Sequence, residues 1–252
     1  MIKTFNFLRN MEMTSILATL AALCLAAADD KGFLDLEYKD DKGKAYKYVL
    51  FVPHDYKPEK EYPLMVFLHG SGESGTDGKK QALTGLGNAI RKEEKSFPFF
   101  AIFPQASEQI AVRGKWAFGS PDSIRAMAIL ENTKKAYKID SKRIYLTGLS
   151  MGGYGTWSWA QEKPELWAAI VPICGGGDPA AAEKFKNIPC WCFHGDADKA
   201  VPVERSRAMI EALKKAGGKP KYDEYPGVGH NSWDKAYGNP ELYSWILEQR
   251  LK

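Results

Sequence analysis

What this chain has little of narrows its possible functions. Of its 252 residues only four are cysteine and four are histidine. Two of the cysteines, Cys190 and Cys192, stand one residue apart in a single apolar run. That is poor ligand spacing for zinc, and no second paired motif exists, so neither a metal nor another cofactor is expected. Charge of neither sign dominates, with 35 Lys+Arg against 31 Asp+Glu and a net charge of +4. Removing Lys3, Arg9 and Glu12 of the leader would leave 33 − 30 = +3. The charges are interspersed and form no block, which argues against a nucleic-acid partner. Internal repeats are absent, which excludes a solenoid or an array. The apolar run from Ser15 to Ala28 is too short to span a bilayer comfortably.

That run does fit another purpose. Lys3 and Arg9 precede it, and Ala26-Ala27-Ala28 before Asp29 fits a small-residue cleavage site. Residues 1–28 therefore read as a secretory signal peptide, which implies a secreted or periplasmic protein. Leu23 is a poor residue before a lipidated Cys24, and an uncleaved anchor is the rival reading. Residues 29–252 then form a single domain long enough to bury a large core. Cys174, Cys190 and Cys192 would remain, an odd number in apolar runs. Buried free thiols are the default, and a bond from Cys174 to Cys190 or Cys192 is the alternative.

The pattern along the chain is α/β. Phe33–Lys39 and Lys44–Val52 read as strands, with Asp40-Asp41-Lys42-Gly43 as the hairpin between them. Continuous apolar runs follow at 64–68, 99–103, 144–147, 168–174 and 188–193, with a last strand at Lys221–Tyr225. Such runs suit parallel strands covered on both faces. Helical spacing appears in Leu83, Leu86 and Ile90, in 122–137 with Ile124, Met127, Ala128 and Leu130 apolar, in 203–216 and at the C-terminus. The expected fold is a mostly parallel central sheet with helices on both faces, led by an antiparallel hairpin. Only Asp178–Asn187 separates two of the central strands. That leaves no room for an inserted lid, so the site is expected to be open.

The chemistry gathers where these strands end. Gly148-Leu149-Ser150-Met151-Gly152 lies between an apolar strand and a helix-like segment, and this is the G-x-S-x-G pattern in the context it needs. A serine at so tight a turn requires neighbours without bulk. The Met151 amide, at a helix N-terminus, points to where an oxyanion would form. His69-Gly70-Ser71-Gly72 follows another strand; the Ser71 amide is the second expected oxyanion donor, with Gly72 as fallback. A serine hydroxyl needs a base. His54 lies in a polar loop on the wrong side of a strand, and His69 and His194, each before a glycine at a strand end, read as structural. His230, in a glycine-flanked loop after the last strand, is the expected base. Asp198 and Asp196 compete as the orienting acid. Asp198 lies further into its loop and is preferred, with Asp196 anchoring the turn. Trp116, Trp233 and Gly72 are the substrate-binding candidates, although Trp116 and its neighbour Phe118 could equally serve packing.

Taken together, Leu68–Gly75 (LHGSGESG), Gly148–Trp157 (GLSMGGYGTW), His194–Pro202 (HGDADKAVP) and Gly227–Trp233 (GVGHNSW) resemble the α/β-hydrolases over essentially the whole mature length. The resemblance is to the compact lid-less branch of carboxylesterases, phospholipase/carboxylesterase-like proteins, polyhydroxybutyrate-depolymerase-like proteins and feruloyl or acetylxylan esterases. It implies a cofactor-free serine ester hydrolase with Ser150, Asp198 and His230 as its triad, the aspartate of H-G-x-x-D-x-x-V-P falling on Asp198. Serine at position 150 departs from dienelactone hydrolases, and the absence of a propeller domain departs from prolyl oligopeptidases, so neither group's substrates are carried over. The expected substrate is a small-molecule or polysaccharide-linked ester, acetyl or feruloyl. A generic short-chain carboxylesterase, a peptidase or acylaminoacyl hydrolase, and a non-catalytic binding protein on the same fold are the alternatives.

Overall fold

The computed structural model describes residues 30–107 and 115–252. The expected leader, its cleavage site and Cys24 lie outside the described residues. From Gly32 the chain forms strand β1 (Gly32–Lys39) and returns as β2 (Ala45–Val52). The turn between them is closed by the Asp40 carboxylate, which accepts from the amides of Lys42 and Lys44 at 2.9 Å each. Gly43 there has φ 79°, a conformation that glycine adopts without strain.

Six further strands complete one sheet: β3 (Tyr62–Leu68), β4 (Phe100–Pro104), β5 (Ile139–Leu149), β6 (Ala169–Ile173), β7 (Trp191–Gly195) and β8 (Lys221–Tyr225). Their order is β1-β2-β4-β3-β5-β6-β7-β8. β2 pairs antiparallel with both β1 and β4, and β3 to β8 pair in parallel. The helices are α1 (Leu86–Lys92), α2 (Pro121–Ala136), α3 (Met151–Glu162), α4 (Ala182–Phe185), α5 (Glu204–Lys215), α6 (Trp233–Tyr237) and α7 (Pro240–Glu248). Among the described residues no helix is long and apolar enough to cross a membrane.

The continuous apolar strands split by parity, because successive side chains of a strand point to opposite faces. Leu64, Val66 and Leu68 join Ala126, Leu130, Trp157, Trp159 and Met209 in one core layer, beneath α2, α3 and α5. Met65 and Phe67 join Leu86, Ile90, Tyr237, Leu242 and Ile246 in the other, beneath α1, α6 and α7. Both faces of the sheet are therefore covered, as continuous apolar runs require.

Three local expectations are corrected. α1 starts at Leu86 rather than Leu83: Gly85 breaks the helix with φ 56°, and Leu83 is 54% exposed. In α2 the inward residues are Ala126, Ile129 and Leu130, while Ile124 is 59% exposed. That helix is set by its start, where Ser120 accepts from the Ser123 amide and Pro121 occupies the first turn. The strand carrying the central motif begins at Ile139, well before the apolar run. The alternative bond from Cys174 to Cys190 or Cys192 is not formed. All three thiols are free and buried, Cys190 and Cys192 in one core layer and Cys174 in the other.

Candidate active site

Parallel strands put their carboxyl ends on one edge, so loops far apart in sequence meet there. β3 and β5 are neighbours at the centre, which sets the loop after Leu68 beside Ser150. The loops after β7 and β8 approach from the same edge.

Ser150 stands between β5 and α3 at φ 54°, ψ −115°, a backbone region that side chains with a Cβ rarely occupy. Packing enforces it. A Cβ on Gly152 would lie 1.8 Å from the Leu68 carbonyl oxygen, and one on Gly148 2.4 Å from the Gly152 carbonyl oxygen. Only glycine on both sides lets the turn close this tightly against β3.

His230 Nε2 lies 2.9 Å from Ser150 Oγ, and His230 Nδ1 lies 2.6 Å from Asp198 Oδ2. A carboxylate only accepts, so Nδ1 carries the proton and Nε2 is free to accept from the serine hydroxyl. Asp198 Oδ1 accepts from the amides of Ala200 and Val201 at 2.8 and 2.9 Å. Burial alone would raise the Asp198 pKa; the bond from His230 and those two amides outweigh it and hold the carboxyl below its ordinary value. Asp196, the competing acid, accepts from the Gly227 amide at 2.6 Å and so ties the β7 loop to the β8 loop.

On the oxyanion side, Gly70 opens a 3₁₀ turn over Ser71–Glu73. A Cβ on Gly70 would lie 2.8 Å from Leu149 Cδ1 and 3.0 Å from Glu73 Oε2, with Ser150 Cβ at an ordinary contact distance of 3.7 Å. Among the described residues no turn or loop backbone bond takes the Ser71 or Met151 amide. His69 is buried and accepts from the Ala106 amide through Nε2 at 2.9 Å, so its Nδ1–H donates to the Gly70 carbonyl at 2.6 Å. Desolvation lowers its pKa to about 4. Gln105, which the sequence reading did not single out, clamps the same loop: its Nε2 donates to the Glu73 carbonyl at 2.9 Å and its Oε1 accepts from the Gly78 amide at 2.7 Å. No motif marks that glutamine; only its place just beyond β4 does.

The substrate-binding candidates separate. Trp116 is 1% exposed and belongs to the core. Its indole donates to the His69 carbonyl at 3.0 Å, and its ring meets Trp159 edge-on. It supports the loop after β3 from beneath, which is the packing alternative for this aromatic. Gly72 is exposed, with open space around its Cα. Trp233 meets the His230 ring at 5.3 Å, edge to face. It also borders an open groove of about 710 Å³ shared with Gly85, Asn88 and Tyr237. The segment after β6 is not lifted over the site. Ala181, Ala182 and Phe185 are buried, and Phe185 packs on Trp157 of α3.

Among the described residues, Cys174, Asp198 and His230 are the only group of three whose potential metal-ligating atoms lie within 4.8 Å of one another. The acid and base in it are already bonded to each other, and burial pushes the Cys174 thiol far from ionisation. The arrangement can instead withdraw a proton from Ser150 and return it elsewhere.

Comparison with known proteins identifies relatives of the chain. The chain is 23% identical over 210 residues to the bifunctional acetylxylan esterase/xylanase XynS20E of Neocallimastix patriciarum, covering 83% of this chain and 29% of that protein. It is 26% identical over 211 residues to carboxylesterase SOBER1 of Arabidopsis thaliana, covering 75% of this chain and 90% of that one. The crystal structure of a thermostable esterase superposes with a TM-score of 0.78 at 39% identity, over 86% of this chain and 63% of that one. The chain thus spans less than a third of XynS20E and under two thirds of the thermostable esterase. The Dienelactone hydrolase family matches residues 103–237, more than half of the sequence and the part that holds Ser150, Asp198 and His230. The chain belongs to the dienelactone hydrolase family, on the α/β-hydrolase fold.

Proposed function

We propose that this protein is a secreted or periplasmic serine carboxylic-ester hydrolase acting through an acyl-enzyme. The observation that carries the proposal is the unbroken chain Ser150 Oγ, His230 and Asp198, with contacts of 2.9 and 2.6 Å. His230 takes the Ser150 proton as Oγ attacks the ester carbonyl, and the imidazolium that forms is stabilised by Asp198. The Met151 and Ser71 amides receive the oxyanion. His230 then protonates the departing alcohol. Water, deprotonated by His230, attacks the acyl-serine to give a second oxyanion; as it collapses His230 returns that proton to Ser150 Oγ, and the acid leaves. Every group involved belongs to the protein, so the cycle calls for no cofactor.

For the substrate, the proposal is an acetyl or feruloyl ester on plant polysaccharide. The kinship with an acetylxylan esterase and the leader-like run of residues 1–28 support it. Burial of Trp116 leaves Trp233 as the aromatic beside the base, which favours acetyl over feruloyl. A generic short-chain carboxylesterase is the second reading, favoured by the likeness to SOBER1 across most of that protein's length.

The test is initial rates on p-nitrophenyl acetate, methyl ferulate and acetylated xylan, with Ser150→Ala as the blank. Ser150-dependent deacetylation of the xylan is the expected result. Activity on p-nitrophenyl acetate alone selects the generic esterase. Hydrolysis by Ser150→Ala at the wild-type rate, or failure of a fluorophosphonate to label Ser150, overturns the mechanism and revives a binding role for the fold.

A further inference from the structure

Asp198 lies between two imidazoles. His194, at the end of β7, is fully buried and takes no part in the cycle above. Its Nε2 lies 2.9 Å from the Val201 carbonyl oxygen and 3.2 Å from Asp198 Oδ2, the same oxygen that receives His230 Nδ1. Both neighbours of Nε2 are pure acceptors, so Nε2 must carry the ring proton. Nδ1 is then an acceptor, and Ser206 Oγ of α5 stands 2.7 Å from it. The Ser206 hydroxyl therefore donates to the ring, and the Gly175 carbonyl at 3.2 Å is its secondary acceptor. This fixes the tautomer from behind. Burial, the largest influence, lowers the His194 pKa and keeps the ring neutral. The charged and titratable groups that face it are Asp198, His230 across the acid, Cys192 through Ser206, and Glu224 of β8, which pairs with Arg207 of α5 and accepts from Tyr222.

We propose that His194 is a positioning residue of the triad: locked by Ser206, its Nε2–H donates to the Val201 carbonyl and so fixes the loop whose Ala200 and Val201 amides hold Asp198 Oδ1, while the same N–H dipole lies 3.2 Å from Asp198 Oδ2 and tempers the charge that carboxylate presents to His230. The proposal rests on the esterase reading. Without that ring the Asp198 loop loses the bond that fixes it, and the carboxylate, no longer facing a second N–H dipole, presents its whole charge to His230 and raises that ring's proton affinity.

The experiment compares wild type, His194→Leu and Ser206→Ala on p-nitrophenyl acetate across pH. Loss of the bond that fixes the loop behind the acid predicts a fall in kcat of about tenfold for His194→Leu. KM should stay within about twofold, and the acid limb of kcat/KM should move up by about half a unit to one unit. Ser206→Ala should move both quantities the same way by less, and it carries the test if His194→Leu does not fold. The downfield proton resonance of His230 Nδ1–H should shift further downfield in both variants, a readout independent of turnover. An unmoved acid limb and resonance in a folded variant overturn the proposal, whatever happens to kcat, because a purely structural histidine would leave both in place. Absence of Ser150-dependent hydrolysis in the wild type would sink the esterase reading alone; the resonance would still decide the role of His194.

Discussion

At the scale of single residues, the site depends on a few short contacts whose loss has different costs. Ser150→Ala removes the nucleophile and His230→Ala the base, so each should abolish most ester hydrolysis in the proposed reaction. Asp198→Asn keeps the shape and loses the charge that orients His230. By analogy with the protease triad its turnover should fall by up to about ten-thousandfold, measurable on p-nitrophenyl acetate with circular dichroism showing an intact fold. Gln105→Ala should leave the triad distances unchanged while freeing the loop that carries Ser71. It should lower kcat by roughly tenfold through the looser oxyanion donor, with little change in KM. A loss confined to KM would place Gln105 in substrate binding instead.

At the scale of elements, the turn from β5 into α3 has the least tolerance. A methyl group on Gly152 would fall 1.8 Å from the Leu68 carbonyl oxygen, and backbone cannot retreat as a flexible side chain can. Gly152→Ala should therefore destabilise the fold by several kcal/mol, on the order of 3 or more, or prevent soluble expression. Gly72→Ala, in open space one loop away, should be tolerated in stability. Urea midpoints of the two variants check the contrast. The helices obey their caps more than their apolar spacing. α1 and α2 both begin where a local device starts them, Gly85 for one and Ser120-Pro121 for the other. That is why Leu83, apolar at helical spacing, is left outside α1 and exposed.

Across the whole molecule, buried titratable groups tie stability to pH. His69 has its pKa lowered to about 4 by burial, against an ordinary value of 6.5. The unfolded chain therefore binds a proton at a pH where the folded chain does not. The contribution is full above about pH 6.5 and is lost as pH falls from there toward 4. On the order of 3 kcal/mol of stability should disappear over that window. Denaturant midpoints at pH 7.5 and 5 measure it, and a midpoint independent of pH across that range would refute it. The core thiols make a second global prediction. Cys174, Cys190 and Cys192 are buried and free, with the Cys192 pKa pushed up to about 12. A thiol reagent should leave all three unmodified in the native protein and label all three after unfolding.

The alternating strands and helices, the doubly covered sheet and the G-x-S-x-G turn were legible in the sequence, because each is written in local chemistry: apolar runs, glycines and the order of the loops. Ser150, Asp198 and His230 could be chosen from sequence for the same reason, as polar residues just beyond strand ends that a parallel sheet must bring to one edge. Their distances, and the second imidazole on Asp198, were decided only by the tertiary structure. So were the burial of Trp116 beneath the oxyanion loop, the clamp made by Gln105, the separation of the cysteines into two core layers and the exposure of Leu83 and Ile124. Strand order and the packing of one layer on another determine which residues face each other across the sheet. Residue type and spacing say only which face each one occupies.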